Sequence, residues 1–341
     1  MRCGYLAIHV NTCRAETNQW IREILMNNCS DHKDLVSVVV PTYARSEMLF
    51  RALDSLNLQT YSPLQIVVVD DNGAGCEQQL KTKERLDSFI PRAGITLKYV
   101  VRELNGGGAM ARNSGIEASD GAYIAFLDDD DEYLPQKIEL QMESLRNSGA
   151  AFCYAHCKAV VDGSSKEIYY RRTCTGIPLF EQAYCGCIAA TSQWLVKKDA
   201  LLAVGGFTDT PSKQDSILLY KLLLAGCTVS CVPEVLSLYH EDEGVARIST
   251  SGKTLTGERK YADLIRSTYD GFTPKERRKL EHALNWREAT LLWTQHSRYE
   301  SLPLFAHAFA QDPIVAFEKL FRVIGHTVKQ SVKSAVGGLR A

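Results

Sequence analysis

The feature that most constrains the fold is a series of short apolar runs that alternate with helix-like segments. Two of these runs, Leu35–Val40 and Leu64–Val69, are rich in β-branched residues and nearly continuous. Such runs are typical of strands that are buried on both faces of a sheet. Residues 46–59, between them, carry apolar side chains at helical spacing. This alternation predicts an α/β fold whose sheet is mixed but mostly parallel, with right-handed crossovers and flanking helices.

The same alternation continues and then changes character. Residues 76–89 and 109–118 predict helices, and Ile95–Val101 and Tyr123–Leu127 predict strands. Beyond them the pattern is mixed, and the predicted elements are strands near 150–161, 167–172, 187–196 and 227–240 and a helix over 213–225. Residues 255–335 read as helical. We therefore expect an N-terminal arm over 1–34, one α/β domain over 35–250 and a C-terminal helical region over 251–341.

Composition excludes several classes of protein. The chain has 341 residues and a net charge of -1, so no overall field attracts nucleic acid. No apolar run approaches the ~20 residues of a membrane-spanning helix, and the apolar stretch near the N-terminus is too short for a secretory signal. We expect a cytoplasmic protein. Its eleven cysteines lack paired CxxC spacing, which favours reduced thiols over a zinc site.

An acidic motif directly after the fourth predicted strand carries the strongest chemical signal. Asp128, Asp129, Asp130 and Asp131 are consecutive, and four adjacent carboxylates repel one another unless a cation is present. Hard oxygen ligands of this kind suit Mg²⁺ or Mn²⁺. An acidic N-cap for the next helix is the simpler alternative. An EF-hand is excluded because Tyr133 stands where its turn glycine is required.

Two further polar motifs follow other predicted elements. Asn105–Gly108 is a glycine-rich turn that opens a helix bearing Arg112, so backbone and guanidinium can approach an anionic ligand there. The turn matches neither a dinucleotide-binding GxGxxG nor a P-loop. Asp70 and Asp71 end the second strand, beside Pro41–Tyr43 at the end of the first. In open parallel sheets, ligands bind at these carboxyl ends.

The four motifs occur together and in a fixed order. The segments are Val36–Tyr43, Val67–Gly73, Asn105–Asn113 and Ala122–Asp131. Together they resemble the family 2 glycosyltransferases of the GT-A fold, and the resemblance extends over about residues 35–245.

The resemblance implies a role for each motif in binding a nucleotide-diphosphate sugar. Its pattern assigns the donor nucleotide to one set of residues, namely Pro41, Thr42, Tyr43, Asp70, Asp71, Arg112, Asp128 and Asp129. Among these, Thr42 and Asp70 would hold the nucleobase. Asp128 and Asp130 would be the ends of a DxD motif that holds Mn²⁺ or Mg²⁺ against the donor diphosphate, where the cation offsets the charge of the leaving group.

The segment after Val204–Asp209 resembles the acceptor side of the same family. Family members carry a Glu-Asp pair before the following helix, whereas this chain has Gln214 and Asp215. Asp215 would be the general base that takes the proton of an acceptor hydroxyl, and a single displacement would invert the anomeric carbon. His240 is a candidate metal ligand, with a structural hydrogen-bonding role as the alternative. Arg247 is a candidate diphosphate contact on a closing loop.

We thus predict an inverting glycosyltransferase that acts in polysaccharide or lipid-linked glycan synthesis, with a glycan or lipid-linked acceptor and no nucleic-acid partner. A sugar-nucleotide nucleotidyltransferase and a non-catalytic nucleotide-sugar-binding protein are the alternatives. Residues 313–341 carry an apolar stripe and five Lys or Arg against one Glu. This helix is expected either to pack on the catalytic domain, which we favour, or to make a peripheral membrane contact.

Overall fold

The computed structural model describes residues 34–161, 167–170, 178–241, 254–295 and 297–320. Within them, one nine-stranded sheet has the order β3-β2-β1-β4-β8-β6-β9-β5, and β7 pairs with β6. The strands are β1 (Val36–Thr42), β2 (Leu64–Asp70), β3 (Ile95–Val101), β4 (Tyr123–Phe126), β5 (Glu132–Tyr133), β6 (Phe152–Val161), β7 (Glu167–Tyr170), β8 (Trp194–Lys197) and β9 (Val229–Glu241).

The sheet is parallel in its first half and mixed in its second. β1 pairs in parallel with β2 and β4, and β2 pairs in parallel with β3. β8 then joins β4 and β6 in antiparallel orientation, while β6 and β9 are parallel to each other. The mixed α/β sheet predicted from the sequence is confirmed.

Besides this sheet, the described part of the α/β domain contains seven helices. They are α1 (Met48–Asn57), α2 (Glu77–Asp87), α3 (Gly107–Ala118), α4 (Lys137–Ser148), α5 (Leu179–Cys185), α6 (Lys198–Ala203) and α7 (Gln214–Leu224). Helices α1, α2, α3 and α7 each lie within about two residues of the positions predicted for them, at 46–59, 76–89, 109–118 and 213–225, which is within the usual error of a boundary read from sequence.

The two faces of β1 belong to two different hydrophobic cores, because successive side chains of a strand point to opposite faces. Val38 and Val40 pack in one core together with Leu53 of α1. Val39 packs in the other, which also contains Phe126 and Trp194. Burial on both faces explains why β1 reads as an almost continuous β-branched run instead of an alternating one.

Helix α3 lies unusually close to β1. A Cβ atom placed on Gly115 would come within 2.2 Å of Cγ1 of Val39, so only glycine permits this approach. The approach matters for the site, because α3 carries Arg112 and begins at the edge of the sheet where β1, β2 and β4 end.

The predicted strand over 187–196 is shorter in the structure. Only Trp194–Lys197 is extended, and Thr191–Gln193 before it forms a 3-10 turn. The side chain of Gln193 closes this turn, since its Oε1 accepts from the Ala190 N–H at 2.9 Å and its Nε2 donates to the Ala155 carbonyl at 2.6 Å. A side chain that bonds to nearby backbone competes with strand pairing.

Contacts divide the chain into two compact units. They are Met1–Gln182 with Cys187–Arg247, and Ala183–Gly186 with Ile248–Ala341. In the second unit the described helices include α8 (Thr254–Arg266), α9 (Pro274–Thr294) and α10 (Arg298–Gln311), and residues 313–320 are also helical. Among the helices that the structure describes, none has the length and apolarity needed to cross a membrane.

Candidate functional site

The acidic loop after β4 turns back into the sheet edge. The Asp131 N–H donates to the Asp128 carbonyl at 3.0 Å, which folds the four carboxylates into one tight turn. Asp129 and Asp131 are buried at 5% and 1% exposure, whereas the side chains of Asp128 and Asp130 are 30% and 31% exposed. The loop therefore presents two alternate carboxylates, Asp128 and Asp130, outward and anchors itself with the other two.

The buried carboxylates bond to neighbouring elements of the sheet. Asp129 Oδ2 accepts from the Thr42 hydroxyl at the end of β1, at 2.8 Å. Asp131 Oδ2 accepts from the Ser192 hydroxyl at 2.7 Å. The other oxygen of Asp131, Oδ1, is buried and has no hydrogen-bond partner among the described residues. Hydrogen bonds therefore fix this loop in place, but one of its buried carboxylate oxygens lacks a hydrogen-bond partner among the described residues.

Burial and mutual repulsion oppose the ionisation of three carboxyl groups in this loop. Burial raises the pKa of Asp129 to about 7, and the charge of Asp130 adds to this effect. Burial, and then the charge of Asp128, also raises the pKa of Asp130. The pKa of Asp131 lies well above its usual range, first because of burial and then because of Asp128 and Asp130. A local positive charge would favour the ionised form of all three groups.

Two arginines supply part of that charge. Arg45, in the turn after β1, places Nη1 at 2.5 Å from Asp130 Oδ2 and at 3.3 Å from Asp129 Oδ1. Arg112 of α3 donates from Nη2 to Asp128 Oδ1. Both outward carboxylates of the loop are thus paired with a guanidinium.

The residues of the loop fit a divalent cation that is completed by other ligands. Asp128 and Asp130 offer hard carboxylate oxygens on the accessible side of the loop, and a bound cation would favour the ionised form of their neighbours. Within the described residues, no three His, Cys, Asp or Glu side chains converge as a complete set of metal ligands. Phosphate oxygens and water would therefore supply the rest of the coordination shell, as is usual for Mg²⁺.

His240, the candidate metal ligand, lies on β9 and bonds to Glu132. Its Nε2 is 2.7 Å from Oε1 of Glu132, on the strand that pairs with β9. His240 does not form a three-ligand group with Asp128 and Asp130. A metal-binding role for His240 remains a prediction, and the Glu132 contact favours the structural alternative.

Arg112 joins two parts of the site that are far apart in sequence. Besides Asp128 it bonds Gln214, whose Oε1 accepts from Nη1 at 3.0 Å. Its guanidinium also lies 5.7 Å from the centroid of the Phe207 ring. A Cβ on Gly108 would be only 3.0 Å from Arg112 Nη1, so glycine at this position leaves room for the side chain.

Asp71 organises the glycine-rich turn. Its Oδ1 pairs with Arg102 Nη1 at 2.5 Å and accepts from the Gly106 N–H at 3.0 Å. Its Oδ2 accepts from the Gly107 N–H at 2.7 Å. Asp71 thus holds the start of α3, and both of its carboxylate oxygens accept hydrogen bonds from the protein.

Asp70 is also engaged by its neighbours. Its Oδ1 accepts from the backbone and side chain of Asn72 at 2.9 and 2.8 Å, and its Oδ2 accepts from the Tyr99 hydroxyl at 2.7 Å. Close by, at the end of β1, the side chain of Tyr43 is 55% exposed. The role of Asp70 at a nucleobase stays a prediction, and a ligand would have to replace some of these bonds to use it.

Asp215 lies in the first turn of α7, next to Gln214. Its Oδ1 accepts from the Ser216 N–H at 2.7 Å, and its Oδ2 is 3.2 Å from the Cys187 sulfur. Because Gln214 bonds Arg112 and Arg112 bonds Asp128, the acidic loop and Asp215 belong to one neighbourhood. The predicted contact Arg247 lies outside the described residues.

Sequence reasoning did not identify several residues of this site. They are Arg45, Arg102, Ser192 and Cys187, each of which bonds one of the aspartates discussed above. Arg45 had a readable signal, since it is a basic residue in a turn directly after a strand. The others depend on contacts between distant segments that no local pattern encodes.

Comparison with known proteins agrees with this geometry. Residues 37–201 match the model of the family described as "Glycosyl transferase family 2". Residues 37–201 belong to that family. This family 2 domain contains the acidic loop, the glycine-rich turn and the ends of β1 and β2, whereas Asp215 lies beyond the matched segment.

Relatives and solved structures support the same family and fold. The amylovoran biosynthesis glycosyltransferase AmsB of Erwinia amylovora is 33% identical over 135 residues, which cover 38% of this chain and 43% of AmsB. The chain therefore spans less than half of that relative. S. aureus TarS 1-349 in complex with UDP-GlcNAc has a TM-score of 0.57 at 17% identity, covering 82% of this chain and 92% of that one.

A second solved structure covers still more of the chain. The mannosyltransferase PcManGT from Pyrobaculum calidifontis, in complex with GDP-Man and Mn²⁺, has a TM-score of 0.52 at 17% identity. It covers 94% of this chain and 91% of that one. These two similarities show the GT-A type of fold.

The raised pKa of Asp129 makes a prediction about stability. The folded protein keeps this proton up to about pH 7, whereas the unfolded chain loses it near pH 4. Ionisation of Asp129 therefore destabilises the fold as pH rises between these values. We expect Asp129→Asn to raise the free energy of unfolding by about 1–3 kcal/mol at pH 8 and by much less at pH 4.

Urea denaturation in EDTA at the two pH values measures this difference. Asp87→Asn, which removes an exposed carboxylate paired with Lys83, is the control and should change stability little at either pH. An equal effect of Asp129→Asn at both pH values would contradict the electrostatic account.

Proposed function

We propose that the protein is an inverting glycosyltransferase that transfers a sugar from a nucleotide-diphosphate donor to an acceptor hydroxyl. The observation that carries the proposal is the double hydrogen bond of Arg112. Through it, the loop that would face the donor diphosphate is joined to the N-terminus of α7, where Asp215 lies. A transferase of this kind needs both groups beside one anomeric carbon.

Asp215 would act as the general base. Its Oδ1 is occupied by the backbone and hydroxyl of Ser216, at 2.7 and 3.3 Å. Oδ2 is therefore the oxygen that we assign to the acceptor hydroxyl. As the acceptor oxygen attacks the anomeric carbon, its proton passes to Oδ2, and the bond from that carbon to the donor phosphate oxygen breaks. One displacement inverts the configuration, and a positioned base accelerates it ~10²–10⁴-fold.

Charge on the leaving nucleotide diphosphate would be met by groups at the sheet edge. Arg112 offers a planar guanidinium suited to phosphate oxygens. Asp130 and Asp128 would hold Mn²⁺ or Mg²⁺, which supplies Lewis-acid stabilisation of the diphosphate when bound. Thr42 and the glycine-rich turn would orient the rest of the nucleotide, and the exposed ring of Tyr43 is available for contact with its base.

The setting of the reaction is proposed by analogy with the relatives. TarS is described with UDP-GlcNAc and PcManGT with GDP-Man and Mn²⁺, which supports a nucleotide-sugar donor and a divalent cation. AmsB is named for amylovoran biosynthesis, which supports a role in polysaccharide synthesis. We propose a glycan or lipid-linked acceptor and a cytoplasmic location. A nucleotidyltransferase and a non-catalytic binder are less well supported, because neither requires a carboxylate at the position of Asp215.

The roles of the two carboxylates are separable by experiment. We expect Asp215→Asn to lower the rate of nucleotide release at least 100-fold while leaving donor binding nearly unchanged. We expect Asp130→Asn to weaken Mn²⁺-dependent donor binding itself. Asp263→Asn, with a side chain that is 78% exposed on α8, is the matched control.

The measurement is release of UDP from UDP-GlcNAc and of GDP from GDP-mannose in Mn²⁺, with water as acceptor. Binding is followed separately by calorimetry. Turnover of Asp215→Asn at the wild-type rate would refute the assignment of the base. Donor binding without any nucleotide release by the wild type would favour the non-catalytic binder.

A peripheral membrane contact through residues 313–341 is proposed from charge and pattern. Residues 313–320 are helical, and Ile314 and Phe317 on this segment are 71% and 53% exposed. The sequence from 313 onward carries a net positive charge, which anionic lipid headgroups attract. We expect the full chain to sediment with phosphatidylglycerol vesicles more than with phosphatidylcholine vesicles. A chain that ends at residue 312 should lose this preference, and equal sedimentation of both forms would end the proposal.

A further inference from the structure

The candidate base Asp215 has an unusual neighbour on the loop that leads into β8. The sulfur of Cys187 lies 3.2 Å from Asp215 Oδ2, whereas its other nearby acceptor, the carbonyl of Ala189, is at 3.5 Å. The carboxylate is both the closer and the charged acceptor, so the thiol hydrogen is directed to Oδ2.

The surroundings of Cys187 keep its sulfur protonated. Burial raises the pKa of the thiol well above its ordinary value, and the negative charge of Asp215 and the hydrogen bond to it raise this pKa further. Lys213, just before α7, opposes this shift but does not cancel it. Cys187 therefore stays protonated at neutral pH and acts as a hydrogen-bond donor.

The two oxygens of Asp215 are held by donors of different strength. Oδ1 accepts from the N–H of Ser216, a strong backbone donor at 2.7 Å, and from its hydroxyl at 3.3 Å. Oδ2 accepts from a thiol, which is a weak donor. The carboxylate is thus fixed in orientation, but its Oδ2 is held by a bond that an incoming hydroxyl can replace at small cost.

We propose that Cys187 is a positioning residue for the general base. Its S–H aligns Oδ2 of Asp215 toward the acceptor and yields to the acceptor hydroxyl, while the thiol itself gains and loses no atoms. This inference rests on the proposed function, since it assigns a role to a partner of the proposed base. A purely structural thiol would fill space in the core and would not act through Asp215.

Two substitutions at Cys187 separate positioning from packing. Cys187→Ala removes the donor, and Cys187→Ser restores a donor in a side chain of similar shape. Cys227→Ala is the matched control, because it removes a buried thiol from the core near the end of α7 without contact to Asp215. Asp215→Asn reports on the base itself.

The kinetic readout is nucleotide release from UDP-GlcNAc or GDP-mannose in Mn²⁺, measured from pH 5 to 9. We expect kcat of Cys187→Ala to fall about 3- to 10-fold with KM for the donor unchanged. We also expect the acid limb of its kcat–pH profile to move to higher pH. Charged groups near Cys187 and Asp215 include Lys213 and also Arg112, which bonds to the adjacent Gln214. All variants retain both of these charges. Cys187→Ser should recover at least half of the lost rate, and Cys227→Ala should match the wild type.

A second readout does not depend on turnover. Alkylation of Cys187 by iodoacetamide at pH 8, followed by peptide mass spectrometry, reports how much thiolate is present. Loss of the negative charge in Asp215→Asn should accelerate this alkylation several-fold. Cys185, which is exposed, should react equally in both proteins and controls for reagent.

The outcomes distinguish failure of this inference from failure of the proposed function. If Asp215→Asn is inactive but Cys187→Ala has wild-type kcat and pH profile, the positioning role is overturned and the base assignment stands. If Asp215→Asn is fully active, the base assignment fails, and with it any positioning role for Cys187. Equal alkylation of Cys187 in the wild type and Asp215→Asn would show that the thiol does not contact this carboxylate.

Discussion

The site depends on four adjacent carboxyl groups that the fold holds at one edge of its sheet, where the ionisation of three of them is opposed. Four aspartates follow β4, and burial, followed by the charge of neighbouring aspartates, raises the pKa of three of them. Hydrogen bonds from Thr42 and Ser192 fix the loop, and Arg45 and Arg112 neutralise part of its charge. An arrangement that costs stability in this way is expected where a ligand of opposite charge binds.

The rest of the site is built so that this loop and the proposed base act on one substrate. Gly115 lets α3 pack closely on β1, and Asp71 fixes the turn from which α3 begins. Arg112 on that helix then reaches Asp128 on one side and Gln214 on the other. The neutral Gln214 leaves the charge of Arg112 available to Asp128 and to a donor diphosphate, whereas a glutamate in its place would compete for it.

Sequence alone predicted the parts of this structure that local pattern encodes. Strands β1, β2 and β4 were readable because burial on both faces demands continuous apolar runs, and their polar ends marked the ligand edge. The strand predicted over 187–196 was too long, because Gln193 closes a turn through its own side chain. Contacts such as Arg112 with Gln214, 102 residues apart, and Cys187 with Asp215 arise from packing of distant segments and leave no local signal.

The most direct test of the account is whether a cation and a nucleotide diphosphate relieve the charge of the acidic loop together. Thermal unfolding is measured with Mn²⁺ alone, with UDP or GDP alone, and with both, for the wild type and Asp130→Asn. The account predicts that one nucleotide with Mn²⁺ raises Tm by more than the sum of the separate shifts, and that Asp130→Asn loses this extra stabilisation. Additive shifts with both nucleotides, or an unchanged response in Asp130→Asn, would contradict it.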